Sequence, residues 1–193
     1  KNASDEIIAM IKDVESDDAF IQALTAPDFC TKYSSPEKNY FYWKYENYLR
    51  RTEQPVATPM THEDLRQKEN KKLVMTIEHI VAQSNSGEKS KVITDALKID
   101  VGSVEVFDEK YLNSIGNLTL DPQSANSSKG KKDVDEKNSK YFAKAPYKCQ
   151  NELEEFMIDD VWTLESIKKR KAKLLTFAKE LWCNFDFVKV LRV

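Results

Sequence analysis

The sequence predicts an α+β fold, mostly α-helical, in which a small ββα core sits between flanking helices. Two short β-prone runs, Leu73-Val74-Met75-Thr76-Ile77 and Asn117-Leu118-Thr119-Leu120, stand mid-chain. Apolar residues at helical spacing dominate on both sides of them, and helical character resumes from Ser124, close behind the second run. The pattern divides the chain into a helical lead-in over 1–72 and a second unit over 73–193 that ends in closing helices.

In the lead-in, Ser4 is placed to cap a helix carrying Ile7, Ile8, Met10, Ile11 and Val14, and a short helix covers about Asp17 to Leu24. Ser34-Ser35-Pro36 starts a third, bearing Tyr40, Phe41, Tyr42, Trp43, Tyr45 and Tyr48. Such a stripe can stack bases, but aromatics at helical spacing more commonly pack into a core, and that reading is preferred. Pro55 and Pro59 break the chain, and Thr61 caps a restart at His62-Glu63-Asp64-Leu65. In the second unit the first run leads into Glu78-His79, and Ser84-Asn85-Ser86-Gly87 is a loop. Helices follow over Lys91–Leu97 and about Asp108–Ser114, the latter stopped by Gly116 as a left-handed residue. Thr163 caps a long last helix with Ile167, Leu174, Leu175, Ala178, Leu181 and Trp182 on one face.

Composition excludes several classes. With 40% apolar and 32% charged residues over 193 positions, this is an ordinary soluble mix without a membrane span or a secretory segment. Cys30, Cys149 and Cys183 are scattered singly, which argues against a zinc ribbon or a disulfide framework and for a reducing cytoplasm. A net charge of −2 makes no global case for nucleic acid; only local clusters can make one. The chain opens at Lys1 and is expected to be a processed product or a piece of something longer.

The chemistry gathers at Glu78-His79, Asn117 and Asn126. Cutting a phosphodiester requires an activated water and positive charge on the oxygens that become negative. A neutral imidazole, His79, can take the water's proton. A hard divalent cation, Mg²⁺ or another such as Mn²⁺, can stabilise the transition state. It keeps several waters, so one carboxylate and one amide oxygen suffice, and Glu78 and Asn126 are the right types. Neighbours on a strand face opposite ways. Glu78 and His79 therefore share a site only where the strand ends and the chain bends, at Ile80-Val81-Ala82, with Asn126 closing the site from the following helix.

Glu78-His79-Ile80, Gly116-Asn117-Leu118-Thr119-Leu120 and Asn126-Ser-Ser-Lys129-Gly130 together resemble the HNH (ββα-metal) nuclease pattern, in which a final Asn stands nine residues after the loop Asn. More closely, the chain resembles the HNH-type C-terminal domain of GmrSD-like type IV restriction enzymes and related phage-defence nucleases, over roughly 73–183. Lys137, Tyr141, Trp162, Ile167, Arg170 and Trp182 fit its later positions. The resemblance implies that Glu78 and Asn126 are metal ligands and His79 the general base. It also implies that Asn117 braces the loop between the strands and Lys129 contacts phosphate. DNA is the implied substrate, cut to leave 5′-phosphate and 3′-hydroxyl ends. An upstream modification-sensing, nucleotide-hydrolysing domain or subunit is the implied partner. Two departures stand out: Ala82 replaces the usual Pro, and Asn117 lies 38 positions after His79, a step that implies a helical insertion.

Two basic clusters, Lys129/Lys131/Lys132/Lys137 and Lys168 to Lys173 with Arg170, lie downstream. Charge runs usually face solvent, yet proximity to a phosphodiester site makes Lys129, Lys131, Lys132 and Arg170 the candidate DNA contacts. Arg170 has a second reading, as a tie between the last helix and the core. His62 lacks any comparable context and reads as solvated or capping. The competing functions are a catalytically decayed nucleic-acid-binding or partner-docking module, and an RNA-directed nuclease.

Overall fold

Aromatic side chains build the first half of the core. The computed structural model describes residues 17–52, 58–84, 89, 104–124 and 129–183. The expected helices at Ser4 and over 91–97, the Pro55 break and most of the loop after Ser84 lie outside these residues, and so does Asn126. Helix α1 (Asp17–Thr25) and the short α2 (Phe29–Lys32) lead into α3 (Ser35–Thr52). Tyr42, Tyr45 and Leu49 on α3 are fully buried, in one cluster with Leu118, Leu120 and Phe177. The aromatic stripe is thus a packing face, and helical lead-in and β-hairpin share one core. Thr61 caps α4 (His62–Arg66) in a reciprocal capping box with Asp64. His62, its first residue, is exposed, with its ring edge-on to Trp43 at 5.8 Å.

The strands are few. A two-residue pair, β1 (Lys68–Glu69) and β2 (Lys72–Leu73), turns through Asn70 and Lys71, both at positive φ. The central hairpin is β3 (Met75–His79) antiparallel to β4 (Leu118–Pro122), in register from Met75↔Pro122 to His79↔Leu118. Side chains alternate across a strand and cross-strand partners share a face. Met75, Ile77, Leu118 and Leu120 therefore meet α3, while Thr76, Glu78, Thr119 and Asp121 form a polar face. Between the strands run α5 (Val104–Phe107), a π-helical turn (Asp108–Leu112) and a 3₁₀ turn (Ile115–Asn117).

After β4 come α6 (Val134–Lys140), α7 (Lys148–Asn151) and α8 (Leu164–Ala178). Thr163 caps α8 with Ser166 in a second capping box. A second apolar cluster joins Ile80 and Val81 to Phe107, Phe142, Trp162 and Ile167. The hairpin end thus enters a core distinct from the one beneath its strands. The mostly helical α+β class is as expected.

Gly116 differs from expectation. Among the described glycines only Gly130 has a positive φ, 47°, so Gly116 is no left-handed terminator. Its role is close approach: a methyl there would run into the Ile167 carbonyl oxygen on α8.

Candidate active site at the end of the hairpin

Strand β3 pairs through His79, and the chain bends at Ile80 and Val81. Three side chains fix this bend. Asn117 spans it: Oδ1 accepts from the Val81 N–H at 3.0 Å, while Nδ2 donates to the carbonyls of Val81 at 3.3 Å and Leu112 at 2.9 Å. The Ile80 N–H donates to the Asn117 carbonyl at 2.9 Å. Lys137, fully buried on α6, donates to Glu78 Oε1 at 2.6 Å and to the carbonyls of His79 at 2.8 Å and Ile80 at 3.2 Å. Asn113 Oδ1 stands 3.2 Å from His79 Nε2. An amide oxygen only accepts, so with this amide orientation Nε2 carries the proton and Nδ1 the lone pair.

Alternation puts Glu78 and His79 on opposite faces, and among the described residues no ion pair joins them. The imidazole is partly buried. Burial, reinforced by the positive charges of Lys137, Lys38 and Lys89, lowers its pKa to about 4, against the opposing Asn113 bond. His79 is therefore neutral at physiological pH. Burial raises the Glu78 carboxyl, opposed by Lys137.

A second buried pair lies on the same polar face. The Lys129 ammonium bonds Asp121 Oδ1, which also accepts from Gln150 Nε2 at 2.7 Å. Burial raises Asp121 as well, opposed by Lys129. Lys129 is 1% exposed. The expectation that it contacts phosphate is corrected: its charge is spent inside the protein on Asp121.

Arg170 is corrected in the same way. It is 0% exposed, donates to the carbonyls of Leu118 and, at 3.3 Å, Gly116, and lies 3.6 Å from Glu152 Oε1. It ties α8 to the Gly116–Leu120 segment, its second reading in the sequence. Lys131 is exposed, and Lys132 pairs with Glu136 at 2.6 Å. These two remain the basic candidates on the surface.

Asn113, Asp121 and Gln150 were not singled out in the sequence. Asp121 had a signal, because Thr119 and Asp121 alternate with Leu118 and Leu120. Asn113 and Gln150 had none, since neither has a spacing relation to the motifs. Among the described residues no three or more His, Cys, Asp or Glu side chains are disposed to hold a metal ion. The Glu78 oxygen nevertheless already binds a cation, the Lys137 ammonium, so the donor chemistry there suits positive charge. A hydrated Mg²⁺ asks for few protein oxygens.

Fold and site define an α+β domain whose polar centre lies where a buried two-stranded hairpin ends on a neutral histidine. A family model described as the C-terminal domain of GmrSD restriction endonucleases matches residues 14–177. The chain belongs to that family, and with it to the nuclease modules of restriction enzymes. No curated protein and no solved structure matches it.

Proposed function

We propose that this chain is a divalent-metal-dependent DNA endonuclease of the HNH type, with His79 as general base. One observation carries the reading: a partly buried, neutral imidazole stands at a strand end, its ring held by Asn113 through Nε2, which leaves Nδ1 to accept a proton from water. Glu78 and Asn126 are the residues that would hold Mg²⁺ or Mn²⁺. The ion would supply positive charge for the developing phosphorane and the leaving oxygen. His79 deprotonates the attacking water, and its ring stays oriented because Asn113 fixes the tautomer. Asn117 holds the bend behind it. Cleavage leaves 5′-phosphate and 3′-hydroxyl ends. Among the described residues no helix is long and apolar enough to cross a membrane, and the three cysteines are unpaired. The proposed setting is the cytoplasm, beside an upstream modification-sensing, nucleotide-hydrolysing domain or subunit.

The second reading, a decayed binding module, is favoured by the Lys137 ammonium, which already occupies one Glu78 oxygen. Plasmid DNA and a structured RNA incubated with the chain in Mg²⁺, Mn²⁺ or EDTA separate the readings. The expected result is metal-dependent DNA cutting that His79→Ala reduces by about 10²–10⁴-fold, without loss of the thermal transition. DNA binding without cutting in either metal supports the decayed module, and preferential RNA cutting reassigns the substrate.

A further inference from the structure

We propose that Lys137 is a positioning residue for His79, its ammonium clamping the end of β3 so that the imidazole is presented in one orientation. An ammonium has three donor hydrogens. Here one carboxylate oxygen and two consecutive carbonyls take them, Glu78 Oε1 at 2.6 Å, His79 O at 2.8 Å and Ile80 O at 3.2 Å. Consecutive carbonyls in an extended strand point to opposite sides. Both can aim at one atom only where the chain has left the strand, so the contact defines the bend. Lysine is almost never fully buried unless paired, and burying an ion pair costs several kcal/mol that apolar packing would not. A purely space-filling role would not call for this side chain.

The neighbours leave this task to Lys137. Asn117 binds the backbone of Val81 and, through its carbonyl, the Ile80 N–H, and Asn113 binds the His79 ring. Of these groups Lys137 alone grips the His79–Ile80 peptide by its oxygen. It is itself anchored, because Val134, one turn earlier on α6, is fully buried in the same cluster as Ile80 and Phe142.

Only the rate measurement in the test rests on the nuclease reading. The full chain is compared with Lys137→Met, of similar length but without donors, and Lys137→Arg, which keeps the charge on a planar head that cannot direct three bonds from one nitrogen to three acceptors. The readouts are thermal melting, the histidine ring NMR signals at neutral pH in EDTA, and single-turnover cleavage in Mg²⁺ across DNA concentrations. The chain has two histidines, so His62→Gln assigns the signals. In variants that melt cooperatively, the His79 ring signals are expected to shift or broaden. The saturating rate is expected to fall about 10²-fold, the scale of an ångström-sized misplacement, while the DNA concentration for half-maximal rate stays within about threefold. A folded variant with wild-type His79 signals and a rate within about threefold of wild type overturns the proposal. Failure of both variants to fold overturns it in favour of a purely structural lysine. If the wild-type chain cuts no nucleic acid, the nuclease reading fails by itself and the ring signals decide the role of Lys137.

Discussion

The side chain of Asn117 pairs with Val81 as another strand would, Oδ1 accepting from its N–H at 3.0 Å and Nδ2 donating to its carbonyl at 3.3 Å. One amide thus satisfies both polar groups of a buried residue just past the end of the ladder, which has no backbone partner among the described residues. Its third bond, 2.9 Å to the Leu112 carbonyl, joins the segment between the strands to the same point.

Asn117→Ala is therefore expected to cost stability before it costs chemistry. It leaves the buried Val81 N–H and the Leu112 carbonyl without these partners, at about 1–3 kcal/mol per unsatisfied group. Urea unfolding should show a loss of about 2–4 kcal/mol. A loss below about 1 kcal/mol would mean that water or a neighbour replaces the amide.

The Asn113 contact should govern His79 rather than the fold. Asn113→Ala removes the acceptor at 3.2 Å from Nε2 and frees the ring to change tautomer. Single-turnover cleavage is expected to fall roughly tenfold or more with little change in melting temperature, as for outer partners of site histidines. Asn113→Asp should restore the acceptor and part of the rate. An Asn113→Ala rate equal to wild type would remove this residue from the site.

Protonation of His79 should lag behind that of an ordinary histidine. Its folded pKa, lowered to about 4 by burial, lies below the unfolded value of about 6.5. Between those pH values the unfolded chain binds more protons, so this group's contribution to stability falls as pH drops from about 6.5 towards 4. Buried Glu78, Asp121 and Glu152, each raised by burial, act in the opposite sense. The comparison is therefore made against His79→Gln. Relative to that variant, wild type should lose stability across the window, by at most about 3 kcal/mol, since each tenfold difference in proton affinity between the folded and unfolded chain is worth about 1.36 kcal/mol. The acid limb of cleavage should also lie below about 6.5, the ordinary value of a histidine. Parallel stability curves for the two proteins would contradict a neutral imidazole desolvated by the fold.

The surface charges should separate from the buried ones in salt titrations. Lys129→Met strands the buried Asp121 carboxylate and is expected to cost about 3–5 kcal/mol of stability. It should leave the salt dependence of DNA binding unchanged. With Lys129 and Arg170 inside the protein, two candidate contacts remain. A log–log slope near −2 replaces the value of about −3 to −4 that four contacts would give. Changing Lys131 and Lys132 to Glu should flatten that slope; an unchanged slope would place DNA on another face.

The local features of the fold were legible in the sequence. Thr61 and Thr163 announce helix starts because a β-hydroxyl satisfies an otherwise unpaired N–H within its own turn. The two β runs, the bend after His79 and the packing face of α3 follow from alternation and helical period. The motif pairing of Glu78-His79 with Gly116–Leu120 was visible for the same reason, each half being contiguous in the chain.

What only the tertiary structure decided is where the charges go. In the sequence, Lys129, Lys132, Lys137 and Arg170 are one kind of residue, a cation near a candidate phosphate site. Folded, Lys129 neutralises Asp121, Lys137 grips Glu78 and two carbonyls, and Arg170 serves the carbonyls of Gly116 and Leu118, while Lys132 pairs at the surface. Gly116 makes the same point, its freedom used for approach to Ile167 rather than for a left-handed turn. Helix caps and strand alternation act over a few residues, and one segment suffices to specify them. Burial of a long cationic side chain depends on partners 8 to 59 residues away, as in Lys129–Asp121 and Lys137–Glu78, and only the assembled core brings those atoms within hydrogen-bonding reach.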